Sequence, residues 1–328
     1  MARGTDMEQL RGELVDACAW GEEARARALI SRLGEQPRKA RALLDTMMKD
    51  PDARVRQAAA FGLGELGGTA SARVLEQQLA IEEARDDYDG EAVVEEIVRA
   101  LGRIEDTLTR APLVRRLERL AKGQPDPGDV YSIVHALWRR RHEELLPVIQ
   151  RSLKQLPPGR YKSLQGLLVL LEKTPEELGA WALDRSVPVE HKTGVITVLE
   201  EELPGELLPA LTSFVSTARA LIETAAGPRD ERDPIAYYCE CLASLLLRHR
   251  EQVLTALPEK VRSELRDLAQ KLIVVTAPNS SLRAAVLLQL VGQPEDAALI
   301  EAHRPAEPTL AKVFDDAARV LRHPRKEE

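Results

Sequence analysis

Aromatic residues are scarce in this sequence, only 3% of 328 residues, although hydrophobic residues make up 44%. Strands draw on Val, Ile, Tyr and Phe, so a chain whose apolar share rests on Leu and Ala is expected to pack helices. Cysteine is nearly absent. Cys18, Cys239 and Cys241 are too few and too unevenly spaced for a disulfide framework, which fits a reducing compartment. No run approaches the roughly 18 apolar residues that span a bilayer, and the first twenty residues lack the continuous apolar core of a signal peptide. A cytoplasmic location without membrane association is the expectation. Basic charge is also in deficit: 46 Lys and Arg face 53 Asp and Glu, a net of −7 with a pI near 5.6. That balance argues against a general nucleic-acid binder, whose phosphate contacts need a basic surface.

What the chain does have is helical periodicity, clearest in residues 50–67, DPDARVRQAAAFGLGELG. Asp50 and Pro51 stop one helix, and Asp52 stands where its side chain can cap the next. Val55, Ala58, Ala59, Leu63 and Leu66 share one face, and Gly67 ends the helix. Ala58, Ala59, Ala60, Gly62 and Gly64 are small enough to let a neighbouring helix come close. Shifting the frame by 38 residues aligns residues 91–104, EAVVEEIVRALGRI, so that Leu63-Gly64 falls on Leu101-Gly102. A further 36 residues brings residues 126–140, DPGDVYSIVHALWRR, with a second Asp-Pro opening. A recurring period of this length marks a solenoid, in which each helix pair buries its apolar side only by stacking on its neighbours.

Asp50-Pro51, Val55-Arg56, Ala58-Ala59 and Leu63-Gly64 match the loop and helix signature of HEAT repeats. The chain resembles in particular the short bacterial HEAT-like repeats of the phycobilisome-lyase-related subtype. Leu282-Arg283, Ala284-Ala285 and Leu290 match the signature again near the other end. Residues 161–171, 185–200 and 234–247 match it less well. The fold expected is all-α: a right-handed α-solenoid, or superhelix, of about seven HEAT-like helix pairs. It is read as one domain over residues 1–328, regular over 37–141, degenerate over 142–302 and closed by a capping helix over 309–321. In this family Arg56 and Arg283 occupy a position whose side chain bridges to the loop acid of an adjacent repeat, which makes both structural.

Local chemistry is sparse. Asp87, Asp89, Gly90 and Glu96 mimic part of a calcium loop, but the first ligand position would fall on Arg85, so a solvated acidic turn is the reading preferred. Cys239 and Cys241, two apart on a helix, point to different sides and read as buried structural thiols. The six histidines show no metal-ligand spacing, and His142-Glu143 alone cannot make the iron site of deoxyhypusine hydroxylase, a HEAT-repeat enzyme. There is no phosphate-binding glycine loop, nucleophile elbow or HExxH. No cofactor or metal is expected, and the chain is read as not an enzyme.

Charge is unevenly spread. Residues 82–106 carry ten acids and three bases, and residues 110–142 carry eight Lys or Arg and three acids. Arg115, Arg116 and Arg119 are expected to face outward from one helix, and Arg139 and Arg140 to close the next, where cations offset the carbonyl end of the dipole. The resemblance implies that second helices of the pairs line the concave face. Gln57 and Phe61, Glu95 and Arg99, and Tyr131 and His135 then stand along it, with Phe61 the sharpest anchor and packing against the adjacent repeat its alternative role. The function expected is non-catalytic protein binding, as a scaffold, adaptor or inhibitor, through this groove and the charged flank, toward a partner with an acidic surface. Two alternatives stay open: an enzyme or chromophore-lyase-type protein on the same scaffold, and nucleic-acid binding through the cluster from Arg110 to Arg141.

Overall fold

The computed structural model describes residues 7–85, 87–224, 233–275 and 278–323; every regular element among them is helical, nineteen α-helices and three short 3-10 turns. Residues 227–232, which the sequence places in an exposed loop before Pro234, and the C-terminal residues 324–328 lie outside the described residues. None of the described helices is long and apolar enough to cross a membrane. The chain divides into two compact units, residues 1–161 and 162–328.

The first unit opens with α1 (Met7–Ala19), α2 (Glu23–Gly34) and α3 (Pro37–Met47), all packed against α4 (Ala53–Leu66). Then follow α5 (Gly68–Glu83), α6 (Tyr88–Arg103), α7 (Arg110–Ala121), α8 (Pro127–Arg139) and α9 (Leu146–Gln155). Two layers result. In one, α4 packs on α6 and α6 on α8; in the other, α7 packs on α9. Each helix of the first layer starts at an aspartate cap: Asp52 accepts from the Arg54 amide at 2.9 Å, Asp87 from Gly90 at 2.6 Å and Asp126 from Gly128 at 2.8 Å. Such caps satisfy amides that have no partner inside the helix. The acidic turn at 87–90 is therefore a helix start, three residues earlier than the periodicity predicts.

The Leu-Gly pairs of the repeat have a direct physical role. A Cβ on Gly64 would lie 2.9 Å from both Cα and Cβ of Ala100, and one on Gly102 would lie 2.8 Å from Cα of Ala136. The α4–α6 and α6–α8 crossings are thus backbone against backbone, and no larger residue fits between them. Leu63 and Leu101, fully buried, fill the space beside these crossings.

One ion pair is buried in this unit. Arg56, 2% exposed, donates through Nε to Glu82 Oε1 at 2.7 Å and through Nη2 to Oε2 at 3.1 Å, while Nη1 donates to the carbonyls of Asp50 and Pro51. Gln78 donates to the same carboxylate at 2.6 Å. The structural reading of Arg56 stands, with the acid placed at the end of α5. Arg283 pairs with Glu240.

The second unit comprises α10 (Lys162–Glu172), α11 (Pro175–Leu183), α12 (Val189–Glu201), α13 (Leu208–Glu223) and α14 (Pro234–Arg248). It continues with α15 (Arg250–Ala256), α16 (Glu259–Val275), α17 (Pro278–Val291), α18 (Asp296–Ala302) and α19 (Pro308–Arg322). Here α10, α12, α14, α17 and α19 pack in succession, as do α11, α13, α16 and α18. The α10–α12 crossing is again glycine on backbone, since a Cβ on Gly166 would come within 2.2 Å of the Gly194 carbonyl oxygen. Asp296, 3% exposed, accepts from Arg266 at 2.7 and 3.0 Å, from the Gln293 amide at 2.8 Å and from Gln270 at 2.6 Å. Burial raises a carboxyl's pKa, but these four donors outweigh it and hold Asp296 below the usual carboxylate value.

Three stability measurements follow from these contacts. Gly102→Ala is expected to destabilise by about 1–3 kcal/mol through overpacking. Gly12→Ala, on α1 with no atom within 4 Å of the new Cβ, should stabilise by about 0.5–1 kcal/mol; urea unfolding of both variants reads the opposite signs. Arg56→Leu should cost about 3–5 kcal/mol, with part recovered in the Arg56→Leu, Glu82→Leu double variant. Asp296→Asn should cost about 1.5–3 kcal/mol at pH 7. Because the folded pKa is depressed, that contribution is full above the unfolded value of about 3.9 and is lost as pH falls through the lower folded value. The gap between wild type and Asp296→Asn should therefore close in unfolding curves taken below about pH 4.

Candidate functional site

The glycine crossings bring corresponding positions of α4, α6 and α8 side by side. Gln57 on α4 is half-buried. One repeat along, Glu95 and Arg99 are both exposed and joined in an i,i+4 ion pair. Ser132 on α8 donates to Glu95 at 3.3 Å, which fixes the α6 and α8 positions as neighbours. Next to Ser132, the Tyr131 ring is 40% exposed and stacks on half-buried His135 with centroids 3.9 Å apart and planes tilted by 49°. Charge, hydrogen-bonding groups and an aromatic pair thus share one face of the first unit.

Phe61 does not belong to that face. It is only 6% exposed, and the guanidinium of Arg103 lies 4.9 Å above its ring. Arg103 is held there by Glu96 at 2.7 Å and Glu65 at 3.4 Å. The expectation of an exposed aromatic anchor is corrected to its alternative, packing against the adjacent repeat. The reason is that α6 presents Arg103 one turn beyond the position aligned with Phe61, and the cation covers the ring. Nothing in the local pattern of α4 reports this, because the covering residue comes from the following repeat.

The basic flank is also corrected. Arg116 is half-buried, pairs with Glu83 at 2.7 Å and stands 3.6 Å from Asp129. Arg119 pairs with the same Glu83, and Arg115 with Glu76. Burial pushes the Arg116 and Arg119 guanidinium groups down from their ordinary values. Arg110 reaches Glu144 at 3.1 Å. Arg139 and Arg140 are half-buried, and Arg140 donates to the Ile104 carbonyl at 2.9 Å. Arginines of the base-rich stretch are thus neutralised by Glu76 and Glu83 of α5 and by Glu144, so the flank is a joint between repeats.

Other reactive groups are quiet. Cys239 and Cys241 are buried, and burial pushes the thiols of Cys18 and Cys241 up to about 12, far from the thiolate form at neutral pH. Among the described residues no three His, Cys, Asp or Glu side chains are grouped as metal ligands. A shallow depression lined by Gly21 to Arg25 opens to solvent at the α1–α2 turn. Its charged groups are already engaged, Arg25 with Glu22 and Glu23 with Arg27.

No family model matches the chain, and no curated protein matches it. Among solved structures, a chain of the complex of CpcE and CpcF of phycocyanin lyase from Nostoc sp. PCC7120 is similar at 14% identity and a TM-score of 0.33, covering 86% of this chain and 94% of that one. The expectation that the chain is not an enzyme is corrected: the similar chain is part of a phycocyanin lyase complex.

Proposed function

We propose that the protein binds a partner protein through the α4–α6–α8 face of its first unit. The observation that carries this reading is the grouping of Tyr131, His135, Glu95 and Arg99 on adjoining helices. Tyr and Arg are the side chains that dominate interface energetics, because they combine a large apolar body with directional hydrogen bonding. Here they are exposed on helices that cannot shift without breaking the glycine crossings beneath them. A pre-organised face of this kind loses little conformational entropy on association. Gln57, aligned with Glu95 and Tyr131, extends the face to α4.

Nucleic-acid binding through residues 110–141 has little support. Arg110, Arg115, Arg116 and Arg119 already face carboxylates, so they offer phosphates few uncompensated charges.

Affinity purification from the native source, followed by a direct titration with the recovered partner, tests the reading. The Tyr131→Ala, Arg99→Glu variant should fold as stably as wild type, within about 0.5 kcal/mol. It should bind the partner at least tenfold more weakly. Undiminished affinity in a folded variant would overturn the assignment.

A further inference from the structure

A group of cations without carboxylate partners lies at the end of α2 and along α3. Each arginine from Arg99 to Arg119 has an acid beside it. Arg32 and Lys39 are exposed, as are Arg38 and Lys49, and Arg41 is half-exposed; among the described residues no ion pair engages any of the five. Residues 32–49 hold these five cations against two carboxylates, Glu35 and Asp45. Ala40, Leu44 and Met47 are the buried stripe of α3, so Arg38 projects from its outer side, Lys39 and Arg41 stand on its two flanks, and Lys49 follows just beyond its last residue, Met47. Arg32 stands in the last turn of α2, two residues before the turn into α3. The acids at the far end of α2 are already used, Glu22 by Arg25 and Glu23 by Arg27.

Five cations set among two acids leave an excess of like charge that repels itself, whereas the arginines from Arg99 to Arg119 are each paired. We infer that the α2–α3 surface is a docking site for a short acidic segment of a partner protein, separate from the α4–α6–α8 face. Charge and size select this occupant. Arg38 and Lys49 are about 16 Å apart along the helix axis, a span that about five residues of extended chain cover. At ordinary ionic strength charges interact over about 10 Å, so a short segment feels the cluster. A long polyanion would also meet the remainder of a protein whose net charge is −7. Three of the five cations are arginines, whose planar forks pair with carboxylates in bidentate fashion.

The test is fluorescence anisotropy with a labelled ten-residue alternating Asp-Glu peptide, alongside a ten-nucleotide single strand of DNA and vesicles containing phosphatidylserine. The charge reversal Arg38→Glu, Lys39→Glu, Arg41→Glu is compared with an equal reversal at three scattered exposed lysines, Lys122, Lys154 and Lys312. A neutral set, Arg38→Gln, Lys39→Gln, Arg41→Gln, covers the case in which the reversal disturbs α3. The expected result is salt-dependent peptide binding that weakens at least tenfold in the α3 reversal, at least threefold in the neutral set and less than threefold in the scattered reversal. No binding to the wild type, equal loss in the α3 and scattered reversals, or tighter binding of the DNA or the vesicles than of the peptide would each overturn the proposal. The Tyr131→Ala, Arg99→Glu variant should retain peptide binding, so the outcome is distinguishable from that for the α4–α6–α8 face.

Discussion

A helix can approach another closely enough for backbone contact only where both surfaces are nearly bare. In the first unit this happens twice in succession, with Gly64 against Ala100 and then Gly102 against Ala136. These crossings set the positions of α4, α6 and α8, and with them everything those helices display. The layer of α5, α7 and α9 is joined to this frame by the buried pair of Arg56 on α4 with Glu82 on α5, and Arg115, Arg116 and Arg119 of α7 tie the layer itself together through carboxylates of α5. Apolar burial drives such stacking, and the small residues decide its register.

This frame makes sense of the distribution of charge. An abrupt change from acid-rich to base-rich sequence suggests a polarised surface, but Arg115, Arg116 and Arg119 of α7 reach carboxylates of α5, and their charge is cancelled there. Exposed cations without an ion pair are concentrated at α3 and its ends. The same reasoning applies to aromatics. Phe61 is covered because α6 delivers Arg103 over it, whereas Tyr131 keeps part of its ring exposed because its stacking partner, His135, comes from its own helix.

Much of the helical architecture was legible in the sequence because it rests on local rules. Asp-Pro openings, side-chain caps and the 3.6-residue period are all written within one helix, and α4, α8 and α14 begin within a residue of where those rules place them. The degenerate segments became helices at the places where only apolar periodicity remained, since burial in a stack tolerates loss of the signature. What the sequence concealed were contacts between repeats. That Arg116 would be half-buried against Glu83, that Arg103 would cap Phe61, and that Ser132 would touch Glu95 all depend on which residues lie about 33 to 42 positions away. The Tyr131, His135, Glu95 and Arg99 grouping was reached by aligning repeats, which carries this longer-range information. The α3 cations went unnoticed because their distinction is the lack of a neighbour.

The proposed function requires the α4–α6–α8 face of the first unit to receive a partner protein. Hydrogen–deuterium exchange of the free protein and of the complex with the recovered partner measures this directly. The account predicts slowed exchange in α6 and α8, residues 88–103 and 127–139, with α7 and α9 unchanged. Protection confined to α7 and α9, or to residues 162–328, would contradict it.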